Sequence, residues 1–107
     1  MNLAYKILPR HLLKKAGEAG LICGDNKDRR DGFIHLSTKS QLDVTAKRYI
    51  NQRGLLLICV DLYLVNNVKW EPSRRNGNNS ELYPHVYGGG IPMNSIVWTK
   101  PFNIKIL

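Results

Sequence analysis

A chain of 107 residues is long enough to bury one hydrophobic core without disulfides and too short for two, so residues 1–107 are read as a single domain. Sixteen Lys and Arg against eight Asp and Glu give a net charge of +8. That balance excludes an acidic, cation-collecting protein and attracts anions, without choosing among nucleic acid, nucleotides, phosphorylated metabolites and anionic membrane, or a merely solvated basic surface.

The longest strongly apolar run, Leu55 to Val60, falls far short of the ~20 residues that a membrane helix needs. Cys23 and Cys59 form no CxxC pair and sit among apolar neighbours, which predicts buried free thiols in a reducing compartment. The expectation is a cytoplasmic protein with no membrane association.

Leu3 to Leu8 is apolar and aromatic enough for a first strand, and Pro9 stops it while suiting the start of a helix. From Pro9 to Ala19 the apolar residues Leu12, Leu13, Ala16 and Ala19 recur with the period of a helix, which Gly20 closes. His11 lies on its surface. Cys23 to Arg30 reads as a polar loop leading into a buried strand from Asp31 to Thr38 that carries His35 and Ser37. Thr38-Lys39-Ser40-Gln41 has the spacing of a capping box, which predicts a second helix over 39–52 burying Leu42, Thr45, Ala46, Tyr49 and Ile50.

Leu55 to Asp61 lacks alternation and is too short for a buried helix, so it is the predicted central strand, covered on both faces. Val68 to Glu71 has strand character that Pro72 ends, and 72–80 reads as a loop, basic at Arg74 and Arg75. Tyr83-Pro84-His85-Val86-Tyr87 is followed by three glycines that read as a turn. Ser95 to Lys100 is the last strand, with 102–107 as its extension.

The chemistry-bearing residues are His35 and His85, both in strand settings, with Glu71 after Trp70 as the candidate carboxylate. Imidazole exchanges protons near neutrality and hydrogen-bonds phosphate or ribose. Lys6, Arg29, Arg30, Arg74 and Arg75 are candidates for lining a phosphate site. No HxH or HxxxH spacing supports a metal site, and no Gly-x-Ser-x-Gly elbow or histidine-neighboured cysteine supports a nucleophile.

Tyr5-Lys6-Ile7, Asp31-Gly32-Phe33-Ile34-His35-Leu36-Ser37, Gln41-Leu42, Lys69-Trp70-Glu71 and Tyr83 to Gly88 together resemble the bacterial family called domain of unknown function 952, over nearly the whole chain. More distantly, Ala19-Gly20-Leu21 followed by Ile34-His35-Leu36-Ser37 is similar to a region of the RNA 2′-phosphotransferases, members of the ADP-ribosyltransferase superfamily that bind NAD. That resemblance implies ligand-facing strands at Tyr5-Lys6-Ile7 and His35-Ser37, with Leu55 to Asp61 as the next core strand. The chain departs from the pattern in lacking a histidine-glycine pair on the first strand, and only Glu71 and Glu81 stand where a late glutamate is expected.

The expected fold is a small α+β domain, a bent and mostly antiparallel sheet of five or six strands with two helices, ADP-ribosyltransferase-like. The expected site takes a nucleotide-like or phosphate-bearing anion, NAD by the resemblance. His35, His85 and Glu71 are its catalytic candidates. Tyr5, Lys6, His35, Ser37, Trp70 and Tyr87 are its binding candidates. The rival expectation is a non-catalytic basic module that binds nucleic acid or an anionic metabolite.

Overall fold

The computed structural model describes residues 2–73 and 81–103. In chain order the elements are β1 (Leu3–Pro9), α1 (Arg10–Ala19), β2 (Leu21–Ile22), α2 (Asn26–Asp31), β3 (Ile34–His35), α3 (Leu42–Ala46), β4 (Leu55–Asp61), β5 (Val68–Pro72), β6 (Leu82–Val86), β7 (Ile91–Pro92) and β8 (Ile96–Pro101). Short 3-10 turns follow α3 and β4 and precede β8.

The apolar runs of β1 and β4 pair antiparallel along their whole length, from Leu3 opposite Asp61 to Pro9 opposite Leu55, and β8 adds to the other edge of β4. β4 is therefore the central strand of this sheet, with both faces covered, as its composition predicts. Ala4 and Leu8 of β1 join Leu56, Ile58 and Val60 of β4 in one apolar cluster, against which Leu12, Leu13 and Ala16 of α1 pack. Tyr5, Ile7, Leu55, Leu57 and Cys59 point the other way and meet Leu42 and Ala46 of α3. The period of two in the strands thus divides the core into two layers.

A second antiparallel sheet runs in the order β3-β6-β5. Among the described residues it joins the first through a single pair, Tyr5 and Ser37, whose backbones exchange two hydrogen bonds of 2.7 and 2.9 Å. Six strands therefore form two sheets hinged at one residue pair. The remaining two, β2 and β7, make a small ribbon. Gly90 is needed beside it, because a Cβ there would stand 2.6 Å from the Ile22 carbonyl oxygen and the backbone has φ +80.

The α+β class and the antiparallel pairing agree with expectation, whereas the count does not: eight strands are present among the described residues instead of five or six, and three α-helices instead of two. The additional strands, β2 and β7, are two residues long, too short for any periodicity. The strand expected over 31–38 is only Ile34–His35, because Asn26–Asp31 forms a helix. Asp25 and Asp28 cap α2 reciprocally, and Gly32 ends it in the left-handed region.

The expected 39–52 helix also shrinks. Thr38 and Gln41 do exchange their capping-box bonds, but they close a separate turn ahead of α3, and Lys47–Tyr49 tightens into 3-10. Ile50 is left 60% exposed, and Ala19 of α1 is exposed as well. His11 lies on the surface as expected. Cys59 is buried, but Cys23 is exposed, since the short β2 carries the chain out of the core just before it. Arg74, Arg75 and most of the 72–80 loop, like residues 104–107, lie outside the described residues. No helix among the described residues is long and apolar enough to cross a membrane.

Candidate functional site at the hinge between the sheets

Where the two sheets separate, a cleft of about 340 Å³ opens, with Tyr5, Lys6 and Ile7 of β1 and the His35-Leu36-Ser37 segment among its lining. Its floor is set by one register. β3 and β6 pair so that His35 lies directly opposite His85, and the rings meet edge to face with centroids 5.6 Å apart. Phe33 stacks on His85 at 4.1 Å and also touches His35 at 4.6 Å. The two histidines are thus brought into one site.

Their surroundings differ. His35 Nδ1 is 2.6 Å from Asp28 Oδ1 and His35 Nε2 is 3.0 Å from Asp31 Oδ2, so both ring nitrogens face carboxylates. His85 spends Nδ1 on Glu71 Oε1 at 2.9 Å, and its Nε2 has no hydrogen-bond partner among the described residues. Glu71 is held in turn by the Tyr87 hydroxyl, which donates to the same oxygen at 2.5 Å. The Tyr87 and His85 hydrogen bonds keep the Glu71 carboxyl below its ordinary range. Burial lowers the His85 proton affinity and the nearby His35 adds to this, while Glu71 opposes both, leaving His85 below the usual imidazole range.

Asp28 organises the other half. Burial alone would raise its proton affinity, but the hydrogen bond from His35, the Lys6 charge and the backbone N–H groups of Asp25 and His35 outweigh that and hold it ionised. Lys6 occupies the apolar row between Ala4 and Leu8 and is 5% exposed, so its ammonium needs a partner. It finds Asp28 Oδ2 at 2.9 Å and the His35 carbonyl at 3.1 Å. The Ser37 hydroxyl, also buried, is 2.8 Å from that of Thr45 on α3.

Tyr5, Lys6, His35, Ser37 and His85 all line the cleft. Glu71 and Tyr87 support His85 from behind. Trp70 is 42% exposed and, by strand alternation, lies on the opposite face of β5 from Lys69 and Glu71; it is not among the residues lining the cleft. Of the expected basic residues besides Lys6, Arg30 lies beside Asp31 at 3.5 Å and Arg29 lines a separate groove. The reading from sequence missed Asp25, Lys27, Asp28, Phe33, Arg48 and Tyr49. For Asp28 a signal existed, the Asp25-x-x-Asp28 spacing ahead of Gly32, which is that of a capped helix.

Residues 7–99 match the model of a family described as Protein of unknown function (DUF952). The chain belongs to this family. It is also similar to the crystal structure of protein CC0527 from Caulobacter crescentus, with 32% identity over 94% of this chain and 86% of that one and a TM-score of 0.83. The solution NMR structure of CC0527 matches with 32% identity, over 96% and 86% of the respective chains, at a TM-score of 0.77. No protein of curated function matches the chain. The DUF952 fold is thus supported by the sequence model and by the solved structures, none of which names a reaction.

Proposed function

We propose that the cleft binds a small nucleotide-like or otherwise phosphate-bearing anion and moves one proton on it, with His85 as the group that exchanges the proton. The observation that carries this reading is the asymmetry of the two facing histidines. His35 is committed through both nitrogens to Asp28 and Asp31 and acts as a positioning group, whereas His85 has one nitrogen fixed on Glu71 and the other left for a ligand. A carboxylate on Nδ1 selects the tautomer in which Nε2 is the acceptor. The lowered proton affinity of His85 keeps that lone pair present at neutral pH.

In this reading the domain is ADP-ribosyltransferase-like, a degenerate relative of NAD-dependent transferases. Support comes from the cleft lining: both segments that the resemblance puts on ligand-facing strands, Tyr5-Lys6-Ile7 and His35-Ser37, border it. Its volume is near the low end of the range for small-molecule sites, which suits a mononucleotide-sized anion or one end of a dinucleotide. NAD, when bound, would supply an ADP-ribosyl group. Lys27, Arg48 and the Ser37–Thr45 hydroxyls are the residues that would hold it. Glu71 is taken by His85 and Tyr87 and acts through His85; Glu81 is exposed and is not among the residues lining the cleft.

The test is ligand-induced stabilisation. A ligand that binds only the folded state raises its stability by RT ln(1 + [L]/Kd), about 2.7 kcal/mol at a hundred times Kd. AMP, ADP-ribose and NAD at millimolar concentration should raise the melting temperature, with the effect reduced in His85→Ala. No shift with any of the three removes the reading. Binding of a polynucleotide that weakens steeply with salt would favour the basic nucleic-acid module instead.

A further inference from the structure

Arg48 stands in the 3-10 turn after α3, half-buried, on the wall of the same cleft. Among the described residues no carboxylate, carbonyl or hydroxyl takes its guanidinium as a hydrogen-bond or ion-pair partner. Lys6, His35 and His85, which line the same cleft, each have a carboxylate partner: Lys6 in Asp28, His35 in Asp28 and Asp31, His85 in Glu71. A guanidinium presents its donors as a planar fork matched to phosphate or carboxylate. Partial removal of such a group from water without an acceptor is unfavourable.

The surroundings of Arg48 narrow the occupant. Lys27 adds a second cation to the lining, while Asp25, also in the lining, spends one carboxylate oxygen on the Asp28 N–H as helix cap. Tyr49, beside Arg48, is a protonated phenol at neutral pH, and burial raises its proton affinity further, so its hydroxyl is a donor. The Ser37–Thr45 pair consumes one of its two protons internally and has the other to offer. Two cations and several hydroxyl donors suit a doubly charged phosphoryl group carried on a sugar better than a single carboxylate.

We infer that Arg48 is the phosphate anchor of the cleft: a phosphoryl group docks on its guanidinium, the adjoining sugar hydroxyls meet Ser37 and Thr45, and the rest of the ligand is delivered to His85. The assignment rests on the reading of the cleft as a site for a phosphate-bearing ligand and adds the ligand's orientation.

Ribose 5-phosphate, with ribose and acetate as controls, tests it by NMR titration that follows the Arg48 Nε–H and the His85 ring. Ribose 5-phosphate should perturb both signals and the controls neither. Arg48→Ala and the bulk-preserving Arg48→Gln should each weaken binding at least about tenfold, the scale of a lost charge-assisted hydrogen bond. Arg48→Lys, which keeps the charge and loses the fork, should fall between. Thermal melts of each variant confirm that it is folded. Unchanged affinity in both neutral variants overturns the anchor and leaves the cleft reading standing. Perturbation of Arg48 without any change at His85 keeps the anchor and removes the proton-transfer reading. Failure of the native protein to bind ribose 5-phosphate at millimolar concentration overturns both.

Discussion

His35 and His85 are cross-strand neighbours in a two-residue antiparallel pairing, yet one has both ring nitrogens on carboxylates and the other has one. The same ring thus stands in two different hydrogen-bonding settings 5.6 Å apart. His35 is held in place by two carboxylates of α2, and His85, backed by Glu71, keeps Nε2 without a hydrogen-bond partner among the described residues.

The first consequence is a pH dependence of stability. Because the folded protein holds His85 below the ordinary imidazole range, the unfolded chain binds that proton more readily. The contribution of His85 is therefore complete above about pH 6.5 and is lost as the pH falls through its lower folded value. Asp28 and Glu71, also held low, add their losses only below about pH 4.5. Urea denaturation between pH 5 and 8 should show native stability declining on the acid side, with a shallower decline in His85→Gln. An identical slope in the two proteins would contradict the assignment.

Removal of Asp28 should be the most damaging single change at the site. It leaves Lys6 charged and buried, and strips acceptors from the His35 ring and from the backbone N–H groups of Asp25 and His35. Asp28→Asn is expected to cost about 3–5 kcal/mol, the scale of breaking one partner out of a buried pair. Lys6→Met combined with Asp28→Asn should cost less than the sum of the two single changes. Additive losses in chemical denaturation would show that the two side chains do not share the pair.

Substitution of the histidines tests their contact. His85 is 3% exposed and stacked on Phe33, so His85→Ala opens a cavity and should cost about 2 kcal/mol or more. His35→Ala leaves two carboxylates without their ring partner. Residues in contact deviate from additivity by roughly 0.5–3 kcal/mol, and distant ones add. A double-mutant cycle on stability should give a coupling in that range; a null coupling would mean that the rings do not act as one unit.

The two thiols should separate in their reactivity. Cys23 is exposed, whereas Cys59 is fully buried and burial pushes its proton affinity up, which disfavours the thiolate. A small thiol reagent under native conditions should modify one equivalent quickly, at Cys23 by peptide mapping, and the second only on unfolding. Rapid loss of both thiols would place Cys59 nearer the surface than it is.

What the sequence by itself determined is the set of elements whose signal is local. The apolar run of β4 and the amphipathic period of α1 ended by Gly20 are legible because burial of one helix face writes a period, and burial of both strand faces an unbroken apolar run, into a dozen residues or fewer. The capping box at Thr38 and Gln41 is legible for the same reason, since its partners are three residues apart. His35 and His85 stood out as polar side chains in strand-like segments. Their pairing did not, because register between residues fifty positions apart is set by the closure of the β3-β6 ladder.

α2 was missed for a different reason, since the Asp25-x-x-Asp28 cap was its one local signal. Its six residues carry no apolar stripe, and its one buried side chain, Asp28, is stabilised by Lys6, twenty-two residues earlier in the chain. Composition announced an excess of cations, but only the tertiary structure decided which are neutralised, as Lys6 is, and which face the cleft, as Arg48 does. A charge in sequence has no dielectric and no partner until the fold supplies both.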